Sequence, residues 1–439
     1  VTNLWAFLFV LGVLIFVHEL GHFLMARRLG VRVLTFSLGF GPKLLKFTRG
    51  DTEYAISAIP LGGYVKMAGE NPDEARSGRP DEFLSKTKWE RFLVYIMGPA
   101  MNLLLAFVVT AAVLYQGAES PAYEQQPPIV GAVVKDSPAA RAGLQVGDRI
   151  VSAAGREMRT WDQFFIEIGT RAERETELVV DRGGRRETIM VTPEPKTKYE
   201  VGEIGVLPET RLQLAEVTPG MAADRAGLRR GDVILALDGK QDPEQQELIA
   251  YIKSHPNKPL RFSILRDSQP MDINVTPEGE AGSALVGIRI SPYEFRVIRP
   301  GLAEAFRLSL VKNWEWTRLI FRTLGGLFTR ETSVRQLMGP VGIAELSGGA
   351  AQLGWTHLFN LMAMISLNLG LLNLMPIPVL DGGHIFIMLL EGIARRDFSV
   401  RMKEKMLLAG FVVLMMLMVT VIYNDLMRVQ WIERMIPWR

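Results

Sequence analysis

The sequence has 439 residues, 48% hydrophobic and 22% charged, with a formal net charge of +3. So small a charge excludes an extended nucleic-acid-binding field. The absence of cysteine excludes disulfides, thiolate metal ligands and a cysteine nucleophile, so any metal site must draw on His, Asp or Glu.

The length allows two or three domains. The first element is an apolar run over residues 4–25, long enough to cross a bilayer. It has no basic leader and no clear small-residue cleavage site, so it reads as an uncleaved span. His18-Glu19-Leu20-Gly21-His22 falls inside it. Ionisable groups are expensive in a membrane and mark function there. Residues at i and i+4 share one helix face, about 6 Å apart along the axis. His18 and His22 can thus take neighbouring corners of a Zn2+ tetrahedron. Glu19 can act as general base towards water activated by the metal. The plainer alternative is a chance pattern of buried histidines satisfied by other partners.

Residues 54–67 alternate as a strand does, around a Pro60-Leu61-Gly62-Gly63 turn. The segment is apolar enough to dip into a membrane, and its edge could pair with an extended peptide. A soluble hairpin is the alternative. Residues 92–115 form the second span.

An internal repeat follows. Ala142-Gly143-Leu144 precedes Gly147-Asp148, and Ala226-Gly227-Leu228 precedes Gly231-Asp232. Val191-Thr192-Pro193-Glu194 matches Val275-Thr276-Pro277-Glu278 at the same offset. Two copies of one small β-rich domain are expected, near residues 129–194 and 212–278. The Ala-Gly-Leu-x-x-Gly-Asp signature resembles PDZ domains in the circularly permuted arrangement of bacterial proteases. Such modules take a peptide as an added strand. Rigid spacers with closed grooves are the alternative.

Across residues 301–328, Leu302, Phe306, Leu310 and Trp314 recur at helical spacing with Arg307, Lys312, Arg318 and Arg322 among them. This suits a helix lying in a membrane interface, as a gate or a plain anchor. Residues 358–374 form the third span, closed by Pro376 and Pro378, with a further apolar piece at 385–390. Residues 406–427 form the fourth. Basic residues crowd the loop between spans one and two (Arg27, Arg28, Arg32, Lys86, Lys88, Arg91) and that between spans three and four (Arg395, Arg396, Arg401, Lys403, Lys405). Both loops are therefore cytoplasmic, and the N-terminus and the repeat-bearing segment are extracytoplasmic.

Two histidines leave a catalytic zinc short of a third protein ligand. Asp381 follows the third span, where an unpaired carboxylate costs roughly 3 kcal/mol. The two prolines interrupt the helix, and Gly382 and Gly383 permit the tight backbone that aims Asp381. His384 competes for the third position. The carboxylate is favoured, because it also offsets part of the metal charge. A Pro-kinked span end with a capping Asp is the alternative.

The pairing of His18-Glu19-x-x-His22 with Asn373-x-x-Pro376-x-Pro378-x-x-Asp381-Gly382 resembles the site-2 protease family of intramembrane zinc metalloproteases. Two tandem PDZ-like domains between spans two and three narrow the resemblance to the regulator of sigma-E protease type. It includes Gly98-Pro99-Ala100-Met101-Asn102 and Gly62-Gly63-Tyr64-Val65-Lys66-Met67. The resemblance implies an α-helical polytopic membrane protein with four transmembrane helices, a split catalytic core and two extracytoplasmic β-rich PDZ-like domains. Its parts would be a first membrane half (1–127), PDZ-like domains at 128–196 and 210–280, a connector with the interfacial helix (281–356) and a second membrane half (357–439).

It also implies a multi-pass protein of the bacterial inner membrane carrying one Zn2+ per chain, held by His18, His22 and Asp381, with Glu19 catalytic. Asn373, Gly62, Gly63 and Tyr64 would contact substrate. That substrate would be a single-span membrane protein, an anti-sigma factor already trimmed by another protease, in envelope stress signalling. The lipid bilayer and peptide termini in the PDZ grooves are the other expected partners, with no nucleic acid. A membrane-anchored PDZ scaffold with a vestigial metal site is the second reading. A zinc transporter is the third, and it would need ligands along several spans, which the other apolar segments do not show.

Overall fold

Among the described residues, four helices are long and apolar enough to cross a membrane: Asn3–Arg28, Lys88–Gly117, Trp355–Asn373 and Val400–Met427. The computed structural model describes residues 2–70, 78–196, 200–267, 269–280, 282–329 and 332–428. In chain order its helices are α1 (Thr2–Arg28), α2 (Lys88–Gly117), α3 (Pro138–Arg141), α4 (Trp161–Gly169), α5 (Ala222–Arg225), α6 (Gln245–Ser254), α7 (Leu302–Phe328), α8 (Pro340–Leu353), α9 (Trp355–Asn373), α10 (Asp381–Ala394) and α11 (Val400–Met427). They belong to two compact units, Val1–Ala118 with Arg299–Arg439, and Glu119–Ile298.

In the first unit α2 packs on α1, α7, α9 and α10. Ala6, Val10 and Leu14 of α1 meet Leu358 and Met362 of α9 in one core cluster. Phe23 and Ala26 of α1 join Phe36, Val65, Phe83 and Val94 in another. Pro99 lies inside α2 and cannot donate to the Tyr95 carbonyl. Helix α8 packs on α1 and α9. Its 14 residues are too few to read as a membrane span, and it was not expected.

The helix expected over residues 301–328 is α7. The Ser309 hydroxyl donates to the Phe107 carbonyl at 2.7 Å, and Phe306 meets the Phe107 ring edge-on at 4.5 Å. Leu310, Trp314 and Phe321 stay exposed. The Phe328 side chain lies outside the described ones.

The strands Val33–Arg49 and Thr52–Met67 correct the expected hairpin. Thr35 pairs with both Glu53 and Lys66, and Leu38 with both Ile56 and Gly63. The two halves of residues 54–67 thus lie on either side of run 35–38 instead of pairing with each other. Val33, Thr35, Phe36 and Ser37 are buried, and a buried run must satisfy its backbone on both edges. Tyr64 and Val65 end up at the edge of this sheet. Phe40, Leu44, Leu45, Phe47, Ile56 and Ile59 leave one part of it apolar and exposed.

The second unit holds two β-rich lobes. The first orders its strands Arg156–Glu157, Arg149–Ala153, Thr176–Arg182 and Arg185–Val191 around Trp161, Phe164 and Leu178. The second orders Gln269–Val275, Leu260–Arg266, Val233–Leu237, Gln213–Val217 and Ile288–Ser291 around Leu248, Phe262 and Ile264. The repeated Gly-Asp has a structural task in both. Asp148 accepts from the Gln145 N–H at 2.9 Å and from two Arg182 nitrogens at 2.7 Å. Asp232 does the same with the Arg229 N–H at 2.8 Å and two Arg266 nitrogens at 2.7 Å.

In each lobe, strand pairing reaches past the repeated sequence. Val206–Pro208 pairs with Val130–Val133, and Ile288–Ser291 with Gln213–Val217. The first strand of each lobe needs an antiparallel partner, and in both lobes it comes from beyond the repeated sequence.

Candidate metal centre

Helix α1 puts His18 and His22 one turn apart on one face, with ring centroids 4.9 Å apart and Nε2 atoms 3.3 Å apart. His22 Nδ1 lies 2.8 Å from the Val94 carbonyl of α2. A carbonyl only accepts, so Nδ1 carries the proton of the neutral ring and Nε2 keeps a lone pair. The Asn102 carboxamide, also from α2, lies 3.2 Å from Nδ1 of His18.

The remaining ligand atom arrives from the far end of the chain. Helix α9 stops at Asn373, the Pro376-Ile377-Pro378 stretch turns the backbone, and Asp381 opens α10. Val379 in that turn has φ +95°. A β-branched residue held there stores roughly 1–3 kcal/mol of strain, of the kind found at functional sites. Gly383 packs so closely on the turn that a Cβ would lie 2.2 Å from the Ile377 carbonyl oxygen. Asp381 Oδ2 thereby lies 3.2 Å from Nε2 of His18 and 3.4 Å from Nε2 of His22.

These separations fit zinc. Ligand atoms at about 2.0–2.1 Å from a tetrahedral ion lie roughly 3.4 Å from one another. The structure gives 3.2, 3.3 and 3.4 Å. Atoms so rich in lone pairs repel one another unless a proton or a metal ion lies between them. Among the described residues, His18, His22 and Asp381 are the group of side chains able to hold a metal.

The three open into a cleft of about 290 Å3, which Glu19, Gly63, Tyr64, Asn373 and His384 also line. Glu19 is buried. It lies against the sheet, since a Cβ on residue 63 would come within 2.8 Å of Glu19 Cγ. Gly62 sits outside the lining, against the Phe40 ring. His384 stacks on Tyr95 with centroids 4.7 Å apart, beside the three-atom group and not within it. Glu70 and Tyr95 line the cleft too and were not anticipated. Their only signal is tertiary.

The profile of Peptidase family M50 matches residues 6–417 of the chain. The Yersinia pestis protein named Protease RseP is 34% identical, across 97% of this chain and 98% of its own length. Regulator of sigma-E protease RseP of Escherichia coli K12 is 33% identical, again across 97% and 98%. A Ralstonia nicotianae protein whose name includes zinc metalloprotease is 34% identical, across 96% and 98%.

Proposed function

Because the chain belongs to peptidase family M50, the site-2 zinc metalloproteases, we propose that it hydrolyses a peptide bond inside the membrane-spanning segment of a single-span protein. The observation that carries this reading is the convergence of His18, His22 and Asp381 at ligand-to-ligand spacing, from two helices of a membrane-spanning unit.

Zinc, when bound, acidifies water and polarises the scissile carbonyl. His18, His22 and Asp381 hold that single ion. Glu19 takes the proton from water and returns it to the leaving amine. Asn373 turns its carboxamide to the substrate backbone or to the charge developing on the carbonyl oxygen. A helical substrate hides its carbonyls in i→i+4 bonds, so it must unwind before attack. The sheet edge at Gly63, Tyr64 and Val65 then receives the extended segment as an added strand. The exposed apolar side chains from Phe40 to Ile59 support a sheet that dips into lipid.

The setting is the bacterial inner membrane, with the basic loops cytoplasmic and the two β-rich lobes outside. The lobes act as PDZ-like domains that admit trimmed substrates and turn away bulky ones. The name of the Escherichia coli relative, a regulator of sigma-E protease, supports a place in sigma-E signalling, and on this reading the substrate is an anti-sigma factor.

Purified full-length protein, incubated with a single-span peptide, tests the reaction. Cleavage should stop with a chelator and return with Zn2+. Cleavage that survives metal removal, or none from zinc-loaded protein, would overturn the proposal.

A further inference from the structure

We infer that Asn102 is a positioning residue that sets which nitrogen of His18 carries the proton, and so prepares His18 for the metal. The inference rests on the metalloprotease reading and extends it one layer out from the ligands.

Asn102 is fully buried on α2. Its backbone is fixed, because the Ser366 hydroxyl of α9 donates to the Asn102 carbonyl at 2.8 Å. From that point the carboxamide reaches His18 Nδ1 at 3.2 Å. Its Oδ1 is buried and has no hydrogen-bond partner among the described residues.

A neutral imidazole has one proton for two nitrogens. To bind a metal through Nε2, His18 must carry that proton on Nδ1. His22 meets the same need through the Val94 carbonyl. Asn102 meets it for His18, but with two faces where a carbonyl has one. With the NH2 towards the ring, Nδ1 accepts and the proton stays on Nε2, 3.2 Å from the Asp381 carboxylate that can receive it. With Oδ1 towards the ring, Nδ1–H donates and the Nε2 lone pair is released. Either orientation leaves one buried end of the carboxamide without a partner. The carboxamide can therefore turn at little cost, and with Oδ1 inward it holds the proton on Nδ1. Groups that hold the outer nitrogen of a ligating histidine typically contribute about 10–100-fold to metal affinity.

The test uses full-length protein in detergent, stripped of metal and titrated with Co2+, followed by visible absorbance. Zn2+ affinity is then read by competition with a chromogenic chelator. Asn102→Leu keeps the size and removes both polar ends, and it should bind either ion about 10–100-fold more weakly than the unmodified protein. Asn102→Asp supplies an acceptor alone and should bind at least as tightly as the unmodified protein. Ser366→Ala loosens the backbone contact but leaves the carboxamide, and it should retain the metal. Undiminished affinity in Asn102→Leu would overturn the inference. So would Asn102→Asp or Ser366→Ala as weak as Asn102→Leu, since the effect would then be one of packing. An unmodified protein that takes up neither ion would instead overturn the metalloprotease reading.

Discussion

Gly98 of α2 and His22 of α1 touch with no room between them: a Cβ on residue 98 would lie 2.2 Å from Nε2 of His22. Glycine inside a helix costs roughly 1 kcal/mol relative to alanine. Here it lets one helix press its backbone against a ligand ring. Gly98→Ala should therefore drive the imidazole out of its place. We expect zinc affinity to fall by about tenfold or more, and cleavage with it, while the protein still inserts into membranes. Metal content of the purified variant, beside its level in the membrane fraction, decides this. Full zinc occupancy would show that the ring has another place to go.

Glu19 lies outside the three-atom group yet lines the same cleft. Its replacement should separate metal binding from chemistry. Glu19→Gln keeps the shape and cannot take a proton. It should hold zinc normally and cleave about 10^2–10^4-fold more slowly, the usual contribution of a general base. Zinc analysis and single-turnover cleavage of a spanning peptide are the measurements. Near-normal cleavage would assign the proton to another group.

Much of this architecture was legible in the sequence, because its strongest signals are local. Four apolar runs, a His-x-x-x-His spacing and an Asp after a Pro-x-Pro turn can each be read from one stretch of chain. What could not be read depends on pairing between stretches. Run 35–38 inserts between 53–56 and 63–66, a register set by tertiary burial and not by alternation. Asn102 and Val94 matter only because α2 packs on α1 in one rotation. Glu391, just past the apolar piece at 385–390, is buried, with Lys403 at 2.7 Å and Lys88 at 3.3 Å. Helix α8, at 14 residues, is too short to announce itself as a span.

The proposed sorting of substrates by the β-rich lobes predicts a gain of function. Deleting the unit Glu119–Ile298 should let the enzyme cleave a single-span protein whose outer domain is still attached. Cleavage of the trimmed form should stay as it was. Comparing the two substrates in one membrane preparation checks it. Unchanged selectivity would mean that the lobes do not sort.

Asp148 gives the first lobe an acid limit. Burial pushes its carboxyl up, but the Arg182 guanidinium and the Gln145 N–H outweigh this and hold it below its ordinary value. Stability from such a group is complete above the unfolded pKa, about 3.9, and is lost as pH falls through the lower folded value. The lobe should therefore loosen below about pH 4. Asp148→Asn should weaken it already at pH 6 and flatten the response to acid. Hydrogen exchange across residues 130–191, corrected for intrinsic rates, measures both. Equal protection in the two proteins at pH 6 would remove Asp148 from the account.

Gly63 joins the sheet edge to the general base. A Cβ there would meet Glu19 Cγ and Ile15 Cγ2 at 2.8 Å and the Ser37 carbonyl oxygen at 2.9 Å. The carbonyl belongs to the paired strand and cannot yield, so the strain of Gly63→Ala falls on the Glu19 side chain or moves the strand outward. Either displacement spoils the alignment of base, water and extended substrate, and a misplacement of about 1 Å can cost roughly 10^2-fold in rate. His18, His22 and Asp381 do not face residue 63 in this way, so zinc should remain bound. The expected signature is normal metal content with cleavage reduced by about 10^2-fold. Loss of zinc together with activity would place the damage at the ligands and break the link drawn between strand and base.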